Sequence, residues 1–153
     1  MSPSLPVDFG STLRSQPVEP DHPSPTPRVL IVEDNEMNQI LVMRQVGILG
    51  YSFKLASDGR EAFQYFQEEA FGLVLTDIQM PEMSGHALAL AIREFERERR
   101  RPRTPIIAIT AHAFPEDLRK CREAGIDESL TKPATLDKIR QVLDRWLPLG
   151  ARA

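Results

Sequence analysis

The sequence predicts an α/β fold, in which five strand–helix pairs form a doubly wound (βα)5 domain around one parallel sheet. Short apolar runs recur along residues 28–147, and each run precedes a segment whose apolar residues have helical spacing. The runs Val29–Val32 and Leu73–Thr76 are almost unbroken, as expected of strands that are buried on both faces. Right-handed crossovers would bring the carboxyl ends of all the strands to one edge of the sheet.

The first strand is predicted over 28–32 and leads into a helix near 36–49, for which Gly50 is the stop signal. Four apolar residues recur at helical spacing and lie on roughly one face of this helix: Met37, Ile40, Leu41 and Ile48. A second strand is predicted over 52–56. This first helix therefore has the pattern of an amphipathic helix.

The second and third helices both have side-chain start signals. Asp58 is followed three residues later by Glu61, which is typical of a capping box, and Ser84 can cap the third helix. Between these helices a strand over 72–76 ends at Asp77. The inward-facing residues of the two helices are predicted to be Ala62, Phe63, Phe66, Leu88, Ile92 and Phe95.

The last two strand–helix pairs are predicted from weaker patterns. A strand over 105–109 precedes a helix with Pro115 in its first turn and Gly125 at its end. A weak strand near 127–130 precedes a helix that begins at Thr135. The inward-facing residues of these two helices are predicted to be Leu118, Cys121, Ala124, Leu136, Ile139, Leu143 and Trp146.

Composition restricts the class of protein. The net charge of -3 favours neither nucleic acid nor an anionic membrane surface, and a single cysteine excludes an internal disulfide. No apolar run approaches the roughly 18 residues of a membrane span, and the N-terminus does not resemble a signal peptide. We therefore expect a cytoplasmic protein. The arginine-rich run 94–103 is interpreted as a solvated helix end and loop rather than as a nucleic-acid surface.

Residues 1–27 differ in composition from the rest. They contain seven of the 13 prolines and no sustained apolar period, so we predict a flexible linker there and a short C-terminal tail at 148–153. The predicted domain is 28–147. A linker at the front favours the interpretation that the chain is a fragment of a longer protein.

Polar side chains follow the predicted strands at the edge where ligands of open α/β sheets bind. They are Glu33, Asp34, Asp77, Thr110 and Lys132. Taken singly, each has a plainer explanation, such as a helix cap, a turn or a surface charge. Together, three carboxylates, a hydroxyl and an ammonium suit a metal ion and a phosphoryl group.

Four motifs in order resemble the receiver domains of two-component response regulators. They are Val32-Glu33-Asp34-Asn35, Asp77 with Met80-Pro81-x-Met83-x-Gly85, Thr110-Ala111, and Lys132-Pro133. The sequences around Glu33 and before Lys132 are most similar to those of receivers of hybrid sensor histidine kinases. The resemblance covers about residues 28–147 and implies a flavodoxin-like strand order of 2-1-3-4-5.

The resemblance implies a role for each residue of the site. Asp77 would be the phosphoacceptor, and Mg²⁺, for which Mn²⁺ may substitute, would be bound by Asp34, Asp77 and the backbone carbonyl of Gln79. Glu33 would bind the metal directly or through water. Lys132 and Thr110 would contact the phosphoryl group, and the Lys132–Pro133 bond would be cis.

The sequence departs from the family at the switch aromatic, because Ser129 stands three residues before the site lysine where receivers carry Tyr or Phe. We therefore expect signalling through backbone or loop shifts with a smaller change on the fourth helix. Gln79 and His112 are expected to overlook the phosphoryl group and to influence the attack of water on it. His112 is interpreted as a solvent-facing loop imidazole rather than as a proton shuttle.

The implied partners are the phosphohistidine-bearing dimerisation domain of a histidine kinase and a histidine phosphotransfer domain. Nucleic acid and direct membrane contact are not expected, although a parent sensor could be anchored in the inner membrane. The chain would not be a stand-alone enzyme, and its parent would be a histidine kinase. Two alternatives are an aspartyl-phosphate phosphohydrolase and a pseudo-receiver that binds partners without phosphorylation.

Overall fold

The computed structural model describes residues 28–147, so the predicted linker 1–27 and tail 148–153 lie outside the described part of the chain. Five strands alternate with five helices in the order βαβαβαβαβα. The strands are β1 (Val29–Val32), β2 (Phe53–Ala56), β3 (Leu73–Asp77), β4 (Ile106–Thr110) and β5 (Glu128–Thr131). The helices are α1 (Glu36–Ile48), α2 (Gly59–Glu68), α3 (Gly85–Arg99), α4 (Pro115–Ala124) and α5 (Leu136–Trp146).

All five strands are parallel and lie in the order β2-β1-β3-β4-β5, which confirms the predicted fold. Residue Val32 at the end of β1 pairs with Thr76 on β3, and Thr110 at the end of β4 pairs with Thr131 on β5. The carboxyl ends of the strands therefore meet at one edge, where a site can be assembled from several loops.

The core has two layers, one on each face of the sheet. Alternate strand residues, such as Leu30 and Val74, pack against α2, α3 and α4, whereas Ile31 and Leu75 pack against α1 and α5. This alternation explains why β1, β3 and β4 are apolar along almost their whole length.

The first helix does not bury its apolar face. Met37, Ile40, Leu41 and Ile48 are all exposed, with Ile40 at 54%. The buried residues of α1 are Val42, Gln45 and Val46. Gln45 is tolerated in the interior because its Nε2 donates a hydrogen bond of 2.8 Å to the carbonyl of Ala134. The face on which the sequence places Met37, Ile40, Leu41 and Ile48 is therefore the solvent-exposed face of α1.

The start signals of the later helices are confirmed. Asp58, Ser84 and Thr135 are N-caps, and each side-chain oxygen accepts a backbone N–H three residues on. Glu61 reaches back to the N–H of Ser57 rather than to that of the cap residue. Among residues 28–147, no helix is long and apolar enough to cross a membrane.

Candidate functional site

Three carboxylates meet at the carboxyl edge of the sheet. Because Val32 and Thr76 are paired in register, the residues that follow them, Glu33 and Asp77, are neighbours. Carboxylate oxygens of Glu33, Asp34 and Asp77 all lie within 4.8 Å of one another. Glu33 and Asp77 are buried and Asp34 is exposed, so the cluster opens to solvent on one side.

Glu33 has a raised pKa in this cluster. Burial raises its pKa above the ordinary value, and the negative charge of Asp77 raises it further. The backbone N–H of Asn35, 3.0 Å from its Oε2, acts in the opposite direction. Gln39 donates to the Glu33 carbonyl at 2.7 Å, a contact that the sequence analysis missed. These two contacts hold the backbone and carboxylate of Glu33 in place.

Asp77 is oriented through one of its two oxygens. Its Oδ1 accepts the N–H of Ile78 at 2.8 Å and lies 3.5 Å from Nζ of Lys132. Within the described residues, Oδ2 receives no hydrogen bond. The carboxylate is therefore held from one side by two donors, while its second oxygen is left for another ligand.

The loop after β3 requires glycine at position 85. Gly85 donates its N–H to the carbonyl of Ile78 at 2.8 Å, and a Cβ at this position would lie 2.5 Å from the carbonyl oxygen of Asp77. The hydroxyl of Thr76 donates to that same Asp77 carbonyl at 2.8 Å. Gln79 follows in this loop and is exposed. The backbone on both sides of Asp77 is thus fixed by short-range contacts.

Lys132 and Thr110 are brought together by the pairing of β4 with β5. The N–H of Lys132 donates to the carbonyl of Thr110 at 2.8 Å, and the bond between Lys132 and Pro133 is cis. The Thr110 hydroxyl donates to the carbonyl of His112 at 3.0 Å and accepts the His112 N–H at 3.2 Å. In this structure the hydroxyl is therefore engaged within its own loop.

A cavity of about 630 Å³ continues from the site toward α4. Gln79, Thr110 and His112 line it together with His86 and Cys121. Cys121 is buried, as predicted, and its Sγ is 3.6 Å from Nε2 of His86.

The expected switch position holds no ring. Ser129 is half-buried on β5 and pairs in register with Ala108. The aromatic nearest in sequence to Thr110 is Phe114, which is exposed and stacks on His112 with ring centroids 6.1 Å apart. The imidazole of His112 is itself exposed. The stacked rings of His112 and Phe114 lie in the β4–α4 loop, not on β5.

A model of the response regulator receiver domain family matches residues 29–144, which is most of the chain. The chain belongs to this family. The resemblance noted in the sequence is thereby confirmed, and the chain is a receiver domain of two-component signal transduction, similar to the receivers of hybrid sensor histidine kinases.

The curated relatives of this receiver are much longer proteins. It is 39% identical over 135 residues to the sensor protein GacS of Pseudomonas syringae pv. syringae, a match that covers 88% of this chain and 15% of GacS. It is 38% identical over 115 residues to the sensor histidine kinase RcsC of Escherichia coli K12, which covers 75% of this chain and 12% of RcsC. The chain therefore spans a small part of the length of these kinases.

Two solved structures show the same fold. A chain in the co-crystal structure of the Saccharomyces cerevisiae histidine phosphotransfer protein Ypd1 with the receiver domain of Ssk1 superposes with a TM-score of 0.78 and 33% identity, covering 83% of this chain and 92% of that one. The receiver domain of the sensor histidine kinase PA1611 from Pseudomonas aeruginosa PAO1 superposes with a TM-score of 0.71 and 33% identity, covering 79% and 97%. That structure holds a magnesium ion in its active-site cleft.

Proposed function

We propose that this receiver accepts a phosphoryl group from a phosphohistidine onto Asp77. One observation carries the proposal: a buried carboxylate lies 3.5 Å from an ammonium and within 4.8 Å of two further acids. Catalysis of phosphoryl transfer is mostly a matter of positioning and charge neutralisation, and the residues around Asp77 provide both.

The reaction forms one bond and breaks one bond. An oxygen of Asp77 attacks phosphorus in line with the scissile P–N bond, and the bonding electrons leave with the imidazole nitrogen of the donor. Because Oδ1 is held by Ile78 and Lys132, the oxygen that we assign as the attacking atom is Oδ2. The product is an acyl phosphate on Asp77 and a free histidine on the donor.

The acidic cluster fits a hard divalent cation. Its donors are carboxylate oxygens, which Mg²⁺ prefers. The pKa of Glu33 is raised first by burial and then by the negative charge of Asp77, and a cation would relieve that repulsion. We assign Asp34, Asp77 and the carbonyl of Gln79 as direct ligands, with Glu33 binding directly or through water. The same oxygen donors would accept Mn²⁺. When bound, the ion neutralises charge on the acids and on the phosphoryl oxygens.

Lys132 and Thr110 complete the proposed site. Lys132 neutralises Asp77 before transfer and a phosphoryl oxygen after it. For Thr110 to donate to another phosphoryl oxygen, its hydroxyl must leave the carbonyl of His112. The output of the switch would therefore begin as a shift of the β4–α4 loop.

The absence of an aromatic side chain at Ser129 supports this loop-based output, because no ring on β5 can follow the threonine inward. Phosphorylation would shift an existing equilibrium between two loop conformations. A beryllofluoride-bound structure tests this point: we expect movement in residues 110–114, and a large repacking around Ser129 would contradict it.

The partners that we propose are histidine-bearing helical domains: the phosphohistidine domain of a kinase as donor, and a histidine phosphotransfer domain as acceptor. Helix α1 begins two residues after the acidic pair and carries exposed apolar residues, and exposed apolar patches of this kind mark protein contacts. By this proposal residues 28–147 are the receiver of a longer hybrid kinase that works in the cytoplasm, 1–27 its linker and 148–153 its tail. The receiver would not turn over a separate substrate.

Two alternatives make different use of the same acids. Aspartyl-phosphate phosphohydrolases share a second acid, two residues after the nucleophile, that serves as the general acid or base. That position is Gln79 here, and a glutamine side chain cannot act as a general acid or base. A pseudo-receiver would bind partners without phosphorylation, and the complete set of acids, threonine and lysine does not favour it.

Incubation with Mg²⁺ and a small phosphodonor such as acetyl phosphate tests the proposal. We expect intact-mass spectrometry to show one phosphoryl addition that is lost at alkaline pH and prevented by EDTA. An unmodified mass would favour the pseudo-receiver, whereas rapid catalytic consumption of the donor would favour the phosphohydrolase.

A further inference from the structure

A second charged region lies at the opposite edge of the sheet from Asp77. The C-terminal part of α3, the loop 100–105 and the end of α4 enclose a groove of about 550 Å³, called here the α3–α4 groove. Its lining includes Leu90, Arg97, Arg101, Arg103, Glu123 and Ala124. The groove lies beside the start of β4, because Asp127 after α4 donates its N–H to the carbonyl of Ile106.

Arginines are concentrated beside this groove, and three exposed ones, Arg97, Arg101 and Arg103, line it together with Glu94, Glu96 and Glu123. Five exposed arginines follow one another within seven residues: Arg97, Arg99, Arg100, Arg101 and Arg103. Within residues 28–147, two of the five have carboxylate partners, since Arg97 contacts Glu94 and Arg103 contacts Asp127 at 2.9 Å. The remaining three have no carboxylate partner there, although the chain as a whole carries a net charge of -3.

Two of the unpaired guanidinium groups are held by an aromatic ring. Arg99 and Arg101 lie 5.3 Å and 5.2 Å from the ring centroid of Phe95, within the range of a cation–π interaction. Phe95 is itself buried in the core and packs edge-on against Phe66. The two arginines are therefore partly ordered before any partner binds, which reduces the entropic cost of binding.

The floor of the groove is rigid. Arg93 is half-buried and donates to the carbonyl of Gly125 at 2.7 Å, to the carbonyl of Thr104 at 2.9 Å and to the carboxylate of Asp127 at 2.8 Å. A single side chain thus links α3, the α3–β4 loop and the residues that follow α4. Such a floor presents the surrounding arginines at fixed positions.

We propose that the α3–α4 groove binds an acidic protein segment that also carries an apolar side chain. Guanidinium groups pair with carboxylates through two parallel hydrogen bonds, and Leu90, which lines the groove and is 56% exposed, offers an apolar contact. Glu94, Glu98 and Glu123 are interleaved with the arginines and would repel a continuous polyanion such as nucleic acid. A segment of mixed apolar and acidic character fits this surface better.

The binding of such a segment goes beyond the proposed phosphotransfer. Asp77 lies at the carboxyl ends of the strands and the groove at their amino ends, so a phosphodonor and the acidic segment could be bound at once. The partner would add a docking contact without covering the phosphorylation site.

Peptide display with subtraction tests the proposal. A library of random 15-residue peptides is first depleted on the double variant Arg99→Glu/Arg101→Glu and then selected on the unchanged protein. We expect the recovered peptides to combine several acidic residues with leucine-like residues. Leu90→Ser should weaken their binding about tenfold, as for a central contact of an interface. The double variant Arg44→Glu/Arg140→Glu, at exposed positions on α1 and α5, changes the net charge by the same four units and should leave it unchanged.

Three results would overturn the proposal. One is that no peptide survives depletion, and another is that the survivors are neutral or basic. The third is that a duplex oligonucleotide or anionic vesicles bind the unchanged protein more tightly than the peptides and lose binding in the double variant. Circular dichroism of each variant verifies that the exposed substitutions leave the fold intact.

Discussion

Nζ of Lys132 lies 3.5 Å from Oδ1 of Asp77, and the same oxygen accepts the N–H of Ile78. One carboxylate oxygen is thus neutralised from the protein side, while Oδ2 receives no hydrogen bond from the described residues. Asp77 is therefore held in position through Oδ1, whereas Oδ2 is the oxygen that we propose attacks phosphorus. Substitution of each neighbouring residue then measures its contribution to positioning or to reaction.

Lys132→Ala should slow phosphorylation of Asp77 by about 100-fold, because it removes the positive charge that would stabilise the transferring phosphoryl group. Stopped-flow measurement with acetyl phosphate at saturating Mg²⁺ gives the rate. Lys138→Ala is the matched control, since Nζ of Lys138 donates to the backbone carbonyls of Thr131 and Pro133 rather than to Asp77. Equal losses in the two variants would show that Lys132 has no specific role.

Glu33→Gln should change the pH dependence of stability. The folded-state pKa of Glu33 is raised above 4.5, so between 4.5 and that higher value the folded state binds more protons than the unfolded state. The free energy of unfolding of the metal-free protein therefore falls as the pH rises through this window and stays lower above it. Glu33→Gln should remove this fall and stabilise the metal-free protein at neutral pH.

Urea unfolding from pH 4 to 8 in EDTA checks the Glu33 prediction. Glu36→Gln is an informative comparison, because Glu36 lies in the first turn of α1, where negative charge is favourable, and its loss should destabilise the protein slightly. A Glu33→Gln variant that is less stable than the unchanged protein at pH 7 would contradict the account of this acid.

Gly85→Ala should destabilise the protein by about 1–3 kcal/mol and slow phosphorylation. The new Cβ would lie 2.5 Å from the carbonyl oxygen of Asp77, so the Asp77 backbone would have to move. Gly47→Ala offers the control. Its nearest neighbour is 3.8 Å away on the Phe53 ring, and alanine should stabilise α1 by about 0.5–1 kcal/mol. Denaturant unfolding gives both free energies of unfolding. An unchanged free energy in Gly85→Ala would contradict the prediction, because it would mean that the β3–α3 loop can move aside at little cost.

Ile40→Glu on the exposed face of α1 should slow transfer from a phosphohistidine domain by about tenfold or more, through the loss of an apolar contact at the interface. Phosphorylation by acetyl phosphate should be unaffected, because a small donor does not need this surface. Ile48→Glu, about 12 Å further along the helix, should have a smaller effect. If both donors slow equally in Ile40→Glu, the helix serves the site itself rather than a partner.

The strands, most of the caps and the acidic cluster could be predicted because their signals are local: apolar runs, Ser84 or Thr135 before a helix, and acids at strand ends. The exposed face of α1 could not, because it depends on which side of the helix meets the sheet. That choice rests on contacts such as the hydrogen bond from Gln45 to Ala134, 89 residues away.

Long-range polar contacts were missed for the same reason. In the sequence, Arg93 is one of many charged residues on a predicted helix. Only the fold brings its guanidinium group to Gly125 and Asp127, more than 30 residues further along the chain. The loop bonds between Thr110 and His112 are local in sequence, but hydroxyl orientation has no sequence signal. The roles of Asp77, Asp34 and Lys132 in phosphoryl transfer stay predictions until they are measured.

Transfer of ³²P from a purified phosphohistidine domain in the presence of Mg²⁺ tests the central claim most directly. The unchanged receiver should gain the label within seconds to minutes, and Asp77→Asn should gain none while keeping its circular dichroism spectrum. Label that is undiminished in Asp77→Asn, or absent from the unchanged protein with a donor that labels a known receiver, would contradict the account.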